Sequence, residues 1–130
     1  MQRHVRPRKK AVLIVDDEAI IRTLLQEVIE HRGYESVAVS TGEEAFALLT
    51  EDSGRFAAVV SDQTMPDLLG TDLLGRLRQL GNQIPFVLCS GYSQGLDESR
   101  AATLGADAFL RKPLDINVLG DTVVALIRGE

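Results

Sequence analysis

Short apolar runs rich in β-branched residues alternate along the chain with longer stretches of helical spacing. Residues 11–15, 34–39, 57–61, 85–89 and 107–110 read as strands, and residues 19–31, 43–50, 69–80, 97–104 and 115–127 as helices. In the first helix, Ile20, Ile21, Leu24, Leu25, Val28 and Ile29 recur at steps of one, three and four residues, which draws one apolar stripe along it. Gly33, Gly81 and Gly105 fall just past three of the helices, where a left-handed C-terminal turn favours glycine. Pro85 and Pro113 lie at element starts, where a missing N–H is tolerated. Strictly alternating strands and helices predict an α/β fold with a parallel sheet covered on both faces, and three of the five strands are almost wholly apolar, as such burial requires. In an open sheet of this kind the ligand crevice lies beyond the carboxyl ends of the strands, at the switch in strand order.

Composition narrows the picture. With 130 residues, 45% of them hydrophobic, the chain can bury one core without disulfides or metal staples, and a second folded domain would not fit. No apolar run approaches the roughly 18 to 20 residues that cross a bilayer. The run at residues 11–15 is cut off by Asp16, Asp17 and Glu18, too early for a secretory signal, so a cytoplasmic protein without membrane contact is expected. Cys89 stands alone, far in sequence from His4 and His31, which leaves neither an internal disulfide nor zinc-ligand spacing. It reads as a small buried apolar residue. Residues 1–10 carry Arg3, Arg6, Arg8, Lys9 and Lys10 and no acid. Of 14 basic residues, nine therefore remain against 19 acidic ones, and the body is about −10. The expected division is a flexible basic arm over 1–10 and one domain over 11–130, with a surface that repels nucleic acid.

The unusual chemistry sits just past the strands: Asp16-Asp17 after the first, Asp62 after the third, Ser90-Gly91 after the fourth and Lys112-Pro113 after the fifth. Three carboxylates converging on one edge repel each other and need a compensating cation, and hard oxygen ligands select magnesium or a similar ion. Such an ion keeps open positions for phosphate oxygens, and Lys112 and the Ser90 hydroxyl could hold the others. Phosphoryl transfer asks for in-line positioning and charge neutralisation, which this set supplies. Asp62, delivered by a central strand, is the natural nucleophile.

Four segments carry a family resemblance: Val15-Asp16-Asp17-Glu18; Ser61-Asp62-Gln63-Thr64-Met65-Pro66 with Gly70; Cys89-Ser90-Gly91-Tyr92; and Gly105-Ala106 leading to Phe109-Leu110-Arg111-Lys112-Pro113. Each is weak alone, but in this order and at the strand ends they resemble the receiver domains of two-component response regulators, over residues 11–127. The resemblance implies a doubly wound, flavodoxin-like (βα)5 fold with strand order 2-1-3-4-5. It makes Asp62 the phosphoacceptor, with Asp17, Asp62 and the Thr64 carbonyl binding magnesium or manganese directly and Asp16 acting through water. Ser90 becomes the switch hydroxyl and Phe109 the switch aromatic; Lys112 pairs with phosphorylated Asp62, and the Lys112–Pro113 bond is cis. Thr64 and Tyr92 flank the site, where the family tunes hydrolysis of the acyl phosphate. The implied donor is a sensor histidine kinase or a histidine phosphotransfer protein, and the output is a changed surface on the fourth helix, fifth strand and fifth helix. The stretches at Asp62 and at Ser90-Gly91-Tyr92-Ser93 look more like receivers attached to hybrid sensor kinases than like transcription-factor receivers. Ending at Glu130, the chain is expected to be a single-domain regulator or a piece of a longer protein.

Taken singly, these residues have plainer uses. Asp16-Asp17 could cap the first helix, Asp62 and Lys112 could be an ordinary sheet-edge ion pair, Ser90-Gly91 a turn, Phe109 simple core and Tyr92 an exposed loop residue. Their agreement in position argues otherwise. Among rival functions, a haloacid-dehalogenase-type phosphatase needs a second Asp two residues past the nucleophile, where this chain has Thr64. A flavodoxin-like electron carrier needs a phosphate loop after the first strand, where Asp16-Asp17-Glu18 stands. A degenerate receiver acting only as an adaptor would have lost site residues that this chain retains.

Overall fold

The structure, a computed structural model, describes residues 10–92 and 95–130. Strands β1 (Ala11–Val15), β2 (Glu35–Val39), β3 (Phe56–Asp62), β4 (Phe86–Ser90) and β5 (Ala108–Arg111) alternate with helices α1 (Ala19–His31), α2 (Gly42–Glu51), α3 (Gly70–Gln79), α4 (Glu98–Thr103) and α5 (Ile116–Arg128). All strand pairs are parallel, in the order β2-β1-β3-β4-β5, so the expected doubly wound sheet is present, with its switch in strand order between β1 and β3.

Alternation along each strand divides the core. Ala11, Leu13 and Val15 of β1 face one side with Val59, Phe86 and Leu88, where Leu73, Leu74 and Leu77 of α3 cover them. Val12 and Ile14 face the other side with Val60 and Val87, under Leu25 and Ile29 of α1 and Leu119 and Val123 of α5. Each of these side chains larger than alanine contributes about 1.5–3 kcal/mol of burial, which pins the strand register: a slip of one residue would exchange the two faces.

β1 and α1 have the bounds expected of them and the other elements differ by about one residue at either end, with β4 and β5 both starting late. β4 begins at Phe86 because Pro85 has no N–H to donate; its carbonyl still accepts the Val59 N–H. Asp107 falls outside β5 because its carboxylate turns back to accept the Phe86 N–H (2.8 Å) and meet Arg78 (3.2 Å). Strands β3 and β4 instead extend to include Asp62 and Ser90 as their last residues. Gly33, Gly81 and Gly105 have φ of 88°, 78° and 103°, the left-handed turns expected of them.

Candidate functional site

Among the described residues, the buried polar and charged ones are Asp16, Ser61, Asp62, Gln63 and Ser90, and all five stand at the carboxyl ends of β1, β3 and β4. Burying such groups costs free energy unless they are paired, so their concentration at one edge marks it as built for something other than stability. Asp16, Asp17 and Asp62 each offer a carboxylate oxygen within 4.8 Å of the other two. Asp17 is exposed, which leaves the group open on one side.

Lys112, just past β5, brings Nζ to 2.8 Å from Asp62 Oδ1. Apart from this ammonium, no group reaches that buried oxygen. Burial raises the Asp16 pKa above the ordinary carboxylate value; the charges of Asp62 and Asp17 add to this, against the Glu18 N–H bond and Lys112. Burial would lower the Lys112 pKa, but contact with Asp62 and the charge of Asp16 hold it above the ordinary lysine value. A divalent cation among the carboxylates would offset the repulsion around Asp16 and give Asp62 Oδ1 a partner besides Lys112. The donor set fits a hard cation.

The plainer reading of Asp16-Asp17 as a helix cap does not describe the molecule. Glu18 is the N-cap of α1 and its side chain makes no cap hydrogen bond, while Asp16 Oδ1 accepts the Glu18 N–H (2.9 Å). Ser90 is fully buried beside the cluster, and its Oγ donates to the Gly91 carbonyl (3.2 Å). Cys89 pairs with Asp62 across the β3–β4 ladder. Burial, reinforced by Asp62, pushes its thiol up to about 12, so it is the inert apolar residue expected. The Lys112–Pro113 peptide is cis, as the resemblance implies. Phe109 is half-buried against the core on the α3 side, Thr64 is exposed, and Tyr92 is 79% exposed. Ser93 and the basic arm at residues 1–9 lie outside the described residues.

Four residues that shape this edge escape the sequence reading. Gln63 Oε1 accepts the Thr71 N–H (3.0 Å) and its Nε2 donates to Thr71 Oγ1 (3.1 Å), tying the loop after β3 to the start of α3. Asp67 accepts N–H groups from Gly42 (3.0 Å) and Glu43 (2.8 Å), tying the same loop to α2. Arg22 donates to the Asp16 carbonyl (2.8 Å), and Arg111 donates to the Gly91 carbonyl (3.0 Å). The one legible hint was Gln63, an uncharged polar residue between the cluster and an apolar turn. Gly70 is constrained too: a Cβ there would lie 2.5 Å from the Asp62 carbonyl oxygen and 2.7 Å from Leu88 Cδ1.

Comparison with known proteins agrees with this geometry. The response regulator SaeR of Staphylococcus epidermidis is 34% identical over 102 residues, 78% of this chain; the chain spans 43% of that relative's length. The receiver domain of the Francisella response regulator 1452 superimposes with a TM-score of 0.85 at 27% identity, covering 92% of this chain and 98% of that one. A sensor protein from Polaromonas sp. JS666 superimposes with a TM-score of 0.81 at 27% identity, covering 95% and 98%. No helix among the described residues is long and apolar enough to cross a membrane. The family described as the response regulator receiver domain matches residues 12–124, and with the strand order and the acidic edge in place the chain belongs to that family, the regulatory receivers of two-component signal transduction.

Proposed function

We propose that Asp62 is the phosphoacceptor, taking a phosphoryl group from a phosphohistidine on a sensor histidine kinase or a histidine phosphotransfer protein. The observation that carries this reading is the buried Asp62 carboxylate at the end of a central strand, with Lys112 Nζ 2.8 Å from one of its oxygens. A carboxylate oxygen attacks phosphorus in line, the P–N bond to imidazole breaks, and its electron pair returns to the ring nitrogen. Asp17 and Asp62 with the Thr64 carbonyl, and Asp16 through water, would hold magnesium or manganese, which when bound neutralises charge on the phosphoryl oxygens. Lys112 stabilises the phosphorylated side chain. Ser90 turns its hydroxyl from the Gly91 carbonyl toward the phosphoryl group, and Phe109 follows it, altering the surface of α4, β5 and α5. The domain thereby assists its own phosphorylation, and the same edge admits the water that removes the group, with Thr64 and Tyr92 at its margin.

The broader assignments belong to this reading. Residues 11–130 form the receiver unit and 1–10 a basic arm, supported by a family match that starts at residue 12 and by the charge contrast. A cytoplasmic location follows from the donors proposed, and the acidic body argues against nucleic acid as a partner. Attachment to a sensor kinase is a second context, favoured by the similarity to the Polaromonas sensor protein.

The test is intact-protein mass spectrometry after incubation with acetyl phosphate, with and without magnesium, on the wild type and Asp62→Asn. A magnesium-dependent gain of one phosphoryl group, about 80 daltons, is expected in the wild type alone. An equal gain in Asp62→Asn would overturn the choice of acceptor.

A further inference from the structure

Phe109 and Arg111 are two residues apart on β5, so their side chains share a face. The Arg111 guanidinium carbon lies 4.9 Å from the Phe109 ring centroid and 4.5 Å from that of Tyr92, which belongs to the loop after β4. Its Nη1 donates to the Gly91 carbonyl at 3.0 Å. Arg111 stands directly across the ladder from Ser90, and the Ser90 hydroxyl donates to that same Gly91 carbonyl at 3.2 Å. One carbonyl thus receives both the hydroxyl that turns toward a phosphoryl group and the guanidinium that contacts both rings.

We infer that Arg111 is a positioning residue for the switch: it holds Phe109 and the Gly91–Tyr92 loop in their resting places. This rests on the reading of Ser90 and Phe109 given above. The arrangement needs a planar cation with several donors. Arginine can contact ring faces and bond a carbonyl at once, whereas lysine offers a compact charge without a plane. An exposed or half-exposed cation–π contact made in only one of two states biases their equilibrium by roughly two- to five-fold. Inward movement of Phe109 must give up its contact with Arg111. Arg111 therefore favours the resting state, and its removal makes the phosphorylated arrangement easier to reach.

The test compares the full chain with Arg111→Ala and Arg111→Lys in two measurements. With magnesium and beryllofluoride as a phosphoryl mimic, the apparent affinity of Arg111→Ala is expected to tighten by about two- to five-fold, since it scales with the population of the competent state; Arg111→Lys should move in the same direction. In the ligand-free proteins, backbone hydrogen exchange in the peptide carrying Gly91 and Tyr92 should be faster in Arg111→Ala. A merely structural arginine would weaken beryllofluoride binding when removed, so weaker or unchanged affinity overturns the inference. Equal exchange overturns the hold on the loop whatever beryllofluoride does. Faster exchange in Arg111→Ala, with beryllofluoride bound by neither protein, would support that hold and strike the phosphoacceptor reading instead.

Discussion

The two loops that flank Asp62 are built on different plans. After β3, the Gln63 N–H reaches the Cys89 carbonyl (2.9 Å), its own carbonyl takes the Gly70 N–H (2.8 Å), and its buried side chain clasps Thr71 at both ends. Asp67 fastens the far side of that loop to α2. After β4, the chain turns out at once, Tyr92 is 79% exposed, and Arg111 reaches over from β5 to the Gly91 carbonyl. The two loops divide the labour. The first loop has its polar groups satisfied by buried or capping partners and works as a platform that fixes the carboxylate. The second hangs on surface contacts that can be exchanged for little free energy, as a responding element requires.

This contrast can be broken most severely at Gly70. Replacing it by alanine drives a Cβ into the Asp62 carbonyl and Leu88, and should cost about 3 kcal/mol in urea unfolding, as overpacking does; a neutral Gly70→Ala would mean that the platform yields. Gln63→Leu keeps the volume and strands the Thr71 partners, for an expected loss of about 1–2 kcal/mol by the same measurement. Asp67→Ala removes the α2 tie and should cost about 1 kcal/mol, the usual worth of such a cap. What burial Asp67 has pushes its carboxyl up, but the Glu43, Gly42 and Leu68 N–H groups outweigh that and hold it below the ordinary carboxylate value of 3.8. Its stabilising effect is therefore present above that value and lost as pH falls through the lower native one. A titration of stability should show a shallower acid limb in Asp67→Asn, and an unchanged limb would sink the assignment. Tyr92→Leu sits at the bottom of the series, within about 0.5 kcal/mol of wild type; a larger loss would put the second loop in the class of the first.

The parts of this molecule that sequence made legible are those written in local pattern. The apolar run of β1, the stripe on α1 and the glycines past the helices each follow from residues a few positions apart, and β1 and α1 have the bounds expected of them. Asp16, Asp17, Asp62 and Lys112 were readable because strand ends in a parallel sheet share one edge, so their order along the chain already implied their meeting. Asp67 was not, because its partners lie 24 and 25 residues away on α2 and an acid after Pro66 looks like any turn residue. Arg111 was missed for a similar reason: a strand-end arginine is ordinarily a solvated charge, and its contacts with Phe109 and Tyr92 depend on a side-chain conformation. The one-residue shift of β4 and β5 came from Pro85 and from the backward turn of Asp107, both decided across the ladder rather than along the chain.

Cys89 gives the domain a chemical clock. Its thiol is 2% exposed and loses its proton only near pH 12, so the reactive thiolate is nearly absent in the folded chain. A maleimide added at neutral pH can react only during openings that uncover the sheet face where Cys89 lies with Leu25 and Ile29 of α1 and Leu119 and Val123 of α5. The labelling rate of this single native cysteine therefore counts how often that face comes open, with no introduced probe. Any ligand that binds at the neighbouring Asp62 should lengthen the interval between those openings.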